Sequence, residues 1–156
     1  MIIRRALPAD RDTLGRLGAM LMRTHYDFDR LRFLRPGEDA DQHYGEFLVS
    51  LLEEDDAVVF VAEGDGRVDG YVYAAIEPLS WQALRDRAGF IHDVAVDPAA
   101  RRHGVASALI TAALDWVRER GLPRVMLGAS PSNTAARAAF ARFGFRDTMI
   151  EMTLEL

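Results

Sequence analysis

Apolar residues recur along this chain with two different periods. Leu14, Leu17 and Leu21 fall at helical spacing, and Pro8 suits a first helical turn, so residues 8–24 predict an amphipathic helix. Tyr44, Phe47, Leu48, Leu51 and Leu52 mark a second helix in the same way. Between the two, residues 25–39 are polar and aromatic and are broken by Pro36-Gly37. Strand-like stretches are shorter. Ile2-Ile3-Arg4-Arg5-Ala6 is β-leaning, and the run Ala57 to Glu63 reads as a buried strand by its Val-Val-Phe-Val content. Gly64-Asp65-Gly66 supplies a turn and Val68 to Ile76 returns, which predicts a β-hairpin over 57–76.

Residues 77–88 are a mixed connection containing Trp81, and Phe90 to Val96 is the next strand, closed by Asp97-Pro98. Gly104 to Arg120 predicts a third helix, with Leu109, Ile110, Ala113, Leu114 and Val117 apolar and Gly121 and Pro123 stopping it. Arg124 to Ala129 follows as a strand. Ser132 or Asn133 can cap a fourth helix whose Ala136, Phe140 and Phe143 share one face, and Gly144 ends it. Phe145 to Leu156 reads as a final strand. The order is then β-α-α-β-β-β-α-β-α-β. A hairpin followed by strand–helix–strand predicts an α/β fold, a mixed and mostly antiparallel sheet with helices on both faces.

Length and charge narrow the picture. The 156 residues, with no linker or repeat, predict one domain over residues 1–156. The absence of cysteine excludes disulfides, thiolate metal sites and a cysteine nucleophile. A formal charge of −5 argues against non-specific nucleic-acid binding. No apolar run approaches the roughly 20 residues of a membrane span, and none near Met1 suits a secretion signal. A cytoplasmic protein without a membrane partner is the expectation.

The most informative stretch runs from Asp93 to Ser107, where a buried strand passes through an arginine-containing loop straight into a helix. The first turn of a helix has N–H groups without intrahelical partners, at the positive end of the macrodipole, and such a terminus binds phosphate. Gly104 permits close approach of a ligand, Ala106 leaves the first turn uncrowded, and Arg101 and Arg102 add charge. A plain strand–helix loop with a solvated arginine pair fits the spacing as well. The stretch is neither a Walker loop nor the Gly-x-Gly-x-x-Gly dinucleotide fingerprint.

Arg101-x-x-Gly104-x-Ala106, after Val94-Ala95-Val96-Asp97-Pro98, resembles the acetyl-CoA motif of the GNAT N-acetyltransferase superfamily. Asn133-x-x-Ala136-x-x-x-Phe140-x-x-x-Gly144-Phe145 resembles that family's second CoA segment, and the order of elements is similar along most of the chain. The resemblance implies acetyl-CoA as cosubstrate, no metal, and direct attack of a primary amine on the thioester without a covalent enzyme intermediate. It implies that Val94, Ala95 and Val96 offer free backbone groups to the pantetheine arm. It implies further that Arg102, His103, Gly104, Val105 and Ala106 offer amides to the pyrophosphate, with Arg101 and the Ser107 hydroxyl beside them. Asn133 would bond the arm, or simply cap its helix. Many family members carry a tyrosine at the Phe140 position to protonate the departing thiolate; phenylalanine cannot, although it can still pack against the arm.

An amine near neutral pH is mostly protonated and must lose a proton before it attacks. His92 and Asp93 are the candidate bases, and the family often has a glutamate at the His92 position. As neighbours on a strand they are expected to point to opposite faces, so that only one meets a given cavity. A backbone N–H such as that of Val94 would stabilise the oxyanion. Tyr26, Phe28, Tyr73 and Trp81 are candidate walls for the acceptor, a small molecule or a peptide. Asp27, Asp29, Glu38, Glu77 and Glu151 are candidate attractors of a cationic amine. A non-catalytic acyl-CoA-binding module on the same fold is the alternative. Met149 to Leu156 offers an apolar strand for a homodimer.

Overall fold

The computed structural model describes residues 1–156. Strands β1 (Ile2–Arg5), β2 (Ala57–Gly64), β3 (Arg67–Glu77), β4 (Ala88–Val96) and β5 (Val125–Leu127) form one sheet in that order. The first four pair antiparallel, and β5 joins β4 in parallel. Helices α1 (Arg11–Phe28) and α2 (Ala40–Ser50) precede β2; α3 (Val105–Glu119) connects β4 to β5, and α4 (Thr134–Arg142) follows. The α/β class and the mixed, mostly antiparallel sheet are those expected.

Local chemistry accounts for the joints. In the β2–β3 hairpin Gly64 pairs with Arg67, so only Asp65 and Gly66 turn the chain. Both have positive φ, 52° and 73°, the geometry whose twist matches two antiparallel strands. Pro8–Asp10 forms a single 3-10 turn before α1. There the Asp10 carboxylate accepts from the Leu7 amide and from Arg4.

The sheet separates two apolar cores. Leu14 and Leu17 of α1 and Leu48 of α2 cover Val59, Val61, Tyr71 and Ala95 on one face. Leu109, Ile110, Ala113, Trp116 and Val117 of α3 cover Val58, Val72, Ala74 and Ile91 on the other. Burying a side chain of this size contributes about 1.5–3 kcal/mol, so these positions hold the helices to the sheet. Glycines set the closeness of α1 and α2. A Cβ on Gly15 would stand 2.0 Å from the Asp41 carbonyl oxygen, and one on Gly18 would stand 2.1 Å from the Tyr44 ring. No helix is long and apolar enough to cross a membrane.

The structure departs from expectation at several ends. Helix α1 runs to Phe28, α2 starts at Ala40 ahead of its apolar face, and β5 shrinks to Val125–Leu127. The largest correction concerns residues 145–156, which form no strand. The last backbone hydrogen bond runs from the Phe145 amide to the Phe140 carbonyl. Beyond it Ile150, Met152 and Leu154 are 82%, 87% and 81% exposed. Their alternation is that of a strand, but a strand exists only where a neighbouring backbone satisfies its N–H and C=O groups, and here none does.

Candidate active site

Strands β4 and β5 diverge. Their pairing consists of Gly89 with Val125, Phe90 with Met126 and Ile91 with Leu127; β4 then continues to Val96 with only β3 beside it. The Asp97 amide donates to the Asp69 carbonyl on the β3 side. In an antiparallel ladder the direction alternates, so Ala95 and Asp93 also face β3 while Val94 and Val96 turn N–H and C=O toward the open side. The Val96 carbonyl accepts from Arg101 Nε at 3.3 Å across that side. The backbone of Ala95 is therefore engaged with Tyr71 and is not free for a ligand, which corrects the expectation for that residue.

At the open end of this fork α3 begins. Asp97 holds the preceding turn, its carboxylate accepting from the Ala99 amide at 3.0 Å and from Arg16 at 2.9 Å. Arg102 and Gly104 both adopt positive φ, 67° and 79°, which turns the chain sharply before the helix. No side chain caps α3. The amides of Arg102, His103, Gly104, Val105, Ala106 and Ser107 find no acceptor within the chain. Val105 is buried as the anchor of the turn, whereas Arg101, Arg102, His103, Gly104 and Ser107 are exposed. Nothing lies within 4 Å of where a Gly104 Cβ would stand. This cluster of outward amides at the positive end of a 15-residue helix fits a diphosphate in both charge and donor set.

The register between β3 and β4 slips in the middle of the site. Tyr73 pairs with Asp93 and Ala74 with Ile91, so His92 is the extra residue of a β-bulge. The consequence contradicts the opposite-face expectation. The His92 ring stacks on Tyr73 with centroids 4.7 Å apart, and Asp93 accepts from the hydroxyl of Tyr71, two residues before Tyr73 on the same strand face. Both side chains thus meet the α1–α2 side of the sheet.

Their environments differ. Asp93 is mostly buried; Tyr44 donates to its Oδ2 at 2.8 Å and Tyr71 at 3.0 Å. Burial pushes the Asp93 carboxyl above its ordinary value, while the two tyrosine hydroxyls pull it back. Burial, with Asp93 alongside, pushes both tyrosines up, so they remain donors. His92 sits at the rim, its Nε2 2.8 Å from Glu77 Oε1 and Phe90 flanking its ring at 4.8 Å. Phe47 of α2 meets Tyr73 edge-on at 5.9 Å and completes an aromatic wall.

The remaining candidates are scattered. Asn133 caps α4 by accepting from the Ala136 amide at 3.3 Å, and Phe140 packs edge-on against Phe145 and onto the α3-side core. Glu151 pairs with Arg32, and Asp29 holds its own loop through the Leu31 and Arg32 amides. Trp81 is 83% exposed. Tyr44 and Tyr71 are site residues that sequence reading missed; the bulge that aims Asp93 at them leaves no mark in residue types.

With this geometry in hand, comparison with known proteins is specific. The profile of the acetyltransferase (GNAT) family matches residues 20–145. A mycothiol acetyltransferase of Acidimicrobium ferrooxidans is 30% identical over 92% of this chain and 49% of its own length. The aminoglycoside N(6')-acetyltransferase type 1 of Klebsiella aerogenes is 28% identical over 70% of this chain and 72% of its own length. The chain spans about half or less of the mycothiol enzymes it matches, 28% in the case of Thermomonospora curvata. A predicted acetyltransferase of Clostridium acetobutylicum, crystallised with acetyl-CoA, has the same fold at 21% identity, with a TM-score of 0.73 over 99% of this chain and 95% of its own.

Proposed function

The chain belongs to the GNAT acetyltransferase family, and from that premise we propose that it transfers an acetyl group from acetyl-CoA to a primary amine in a ternary complex. The observation that carries this reading is the row of unpartnered amides from Arg102 to Ser107, set at the mouth of the β4–β5 fork. Those amides would hold the diphosphate, with Arg101 and Arg102 adding charge. Val94 and Val96 would pair with the pantetheine arm as an added strand. Asn133 and Phe140 would flank the arm from α4. Acetyl-CoA supplies the thioester carbonyl that the amine attacks. His92 takes the proton that the incoming ammonium must lose, and the Val94 N–H donates to the negative charge that develops on the carbonyl oxygen.

Phe140 cannot return a proton to the thiolate, so that proton comes from another group or from water. Asp93 is the weaker candidate base, because its carboxylate already accepts from two tyrosines below the rim. The names of the relatives, mycothiol and aminoglycoside acetyltransferases, favour a small polyfunctional amine as acceptor. They lend no support to a non-catalytic acyl-CoA-binding module. The same reading includes a homodimer that covers the exposed apolar side chains of residues 149–156.

The test is turnover of acetyl-CoA against a panel of amines, followed by thiol release. Release above the solvent rate with at least one amine is expected, and none with any amine would overturn the reading. His92→Ala should lower turnover more near neutral pH than at high pH, where free amine is abundant. An equal loss at every pH removes His92 as the base.

A further inference from the structure

Glu77 closes β3 and meets His92 through a single contact, Oε1 to Nε2 at 2.8 Å. The two side chains are equally exposed, at 32%. A carboxylate can only accept, so the hydrogen on this contact belongs to Nε2. A neutral imidazole has one N–H, which leaves the lone pair on Nδ1. The ring cannot readily turn to reverse that assignment. Tyr73 stacks on it with an interplanar angle of 20°, and Phe90 flanks it. The pairing of Ala75 with Phe90 and of Ala74 with Ile91 sets the next residue, His92, beside Tyr73.

We infer that Glu77 is a positioning residue that fixes His92 as the Nε2–H tautomer and thereby selects Nδ1 as the atom that accepts the acceptor's proton. The inference rests on the reading of His92 as base. In the step itself the N–H bond of the acceptor ammonium breaks and an Nδ1–H bond forms. The amine keeps its electron pair for attack, and the imidazolium stays bonded to the Glu77 carboxylate until it releases the proton to water. Without the carboxylate the imidazole divides between tautomers, and the fraction with Nε2 unprotonated holds its lone pair toward position 77 instead of toward the acceptor.

Long-range nitrogen–proton correlation spectra of the ¹⁵N-labelled full chain, recorded at alkaline pH where an imidazole is neutral, report the tautomer directly. The Nε2–H pattern is expected for His92 in the native chain and a mixture in Glu77→Gln. Turnover of Glu77→Gln should fall by the factor by which the Nε2–H fraction falls in those spectra, roughly two-fold for an even mixture, with KM for acetyl-CoA unchanged, since a base in the wrong tautomer costs kcat and not cosubstrate binding. A native Nδ1–H pattern, or a Glu77→Gln spectrum identical to the native one, overturns the inference. So does unchanged turnover of Glu77→Gln when His92→Ala is inactive. If the tautomer shifts as expected and His92→Ala keeps full turnover, the base reading fails and the selection of a catalytic Nδ1 falls with it, while Glu77 remains what orients the ring. The pair lies at the rim, so Glu77→Gln should melt within a few degrees of the native chain.

Discussion

His92 and Asp93 are consecutive on β4, and their side chains meet the same face of the sheet. One is at the surface against Glu77 and Tyr73; the other lies beneath, gripped by the hydroxyls of Tyr44 and Tyr71. This arrangement joins α2, β3 and β4 under the rim of the site, because Tyr44 belongs to α2 and Tyr71 to β3.

The buried carboxylate gives a stability prediction with a definite sign. Its folded-state pKa is raised above 3.8, chiefly by burial. Ionisation therefore costs folding free energy as pH rises from the unfolded value through the folded one, and costs nothing below that window. Asp93→Asn cannot ionise, so its stability relative to the native chain should increase across the same window. Thermal unfolding at a series of pH values checks this, and a difference that is flat with pH would sink it. Asp93→Leu removes the acceptor of two largely buried hydroxyls and should cost about 1–3 kcal/mol for each.

Asp10 provides the opposite case. The Arg4 side chain first, with the Leu7 amide helping, holds its carboxyl below the ordinary value of 3.8. That stabilisation is present above the unfolded value and is lost as pH falls through the folded one. Asp10→Asn should thus be less stable than the native chain at neutral pH, with the gap closing in acid. A gap that persists in strong acid would assign the effect to packing.

Gly104→Glu should abolish coenzyme A binding in a calorimetric titration while leaving a folded protein. There is room for a Cβ, and only the positive φ of 79° is unfavourable, at a cost of about 1–2 kcal/mol for an L-residue. Unchanged affinity would count against the placement of the diphosphate on α3.

Gly15→Ala should act on the fold rather than on the cofactor loop. The new methyl meets the Asp41 carbonyl oxygen at 2.0 Å, and backbone cannot turn aside as a side chain can. Helix α2 must shift, with a loss of about 1–3 kcal/mol or more and with Tyr44 displaced from Asp93. A melting temperature equal to the native one would show that the helices do not touch as described.

Removing residues 147–156 should convert a dimer to a monomer in sedimentation velocity. The segment exposes Ile150, Met152, Leu154 and Leu156 without a partner in its own chain. A full-length chain that sediments as a monomer at every concentration would end the dimer reading.

What the sequence determined by itself is local. Helical spacing of Leu14, Leu17 and Leu21, a turn within Gly64-Asp65-Gly66 and a cap at Ser132 or Asn133 each depend on residues a few positions apart, and so each was legible, whereas the sequence places Gly104 inside α3 and the structure turns it left-handed ahead of the helix. The acetyl-CoA motif belongs with them, because a loop that ends in a helix carries its own amides. Tertiary structure decided what depends on a partner strand. The bulge at His92 arises from the register with β3, and it alone places His92 and Asp93 on one face and lines Tyr71 up with the carboxylate. Ala95 loses its free backbone to Tyr71 for the same reason. Residues 149–156 carry a strand's alternation but no partner, and a period of two states which side chains share a face without stating whether another backbone lies alongside.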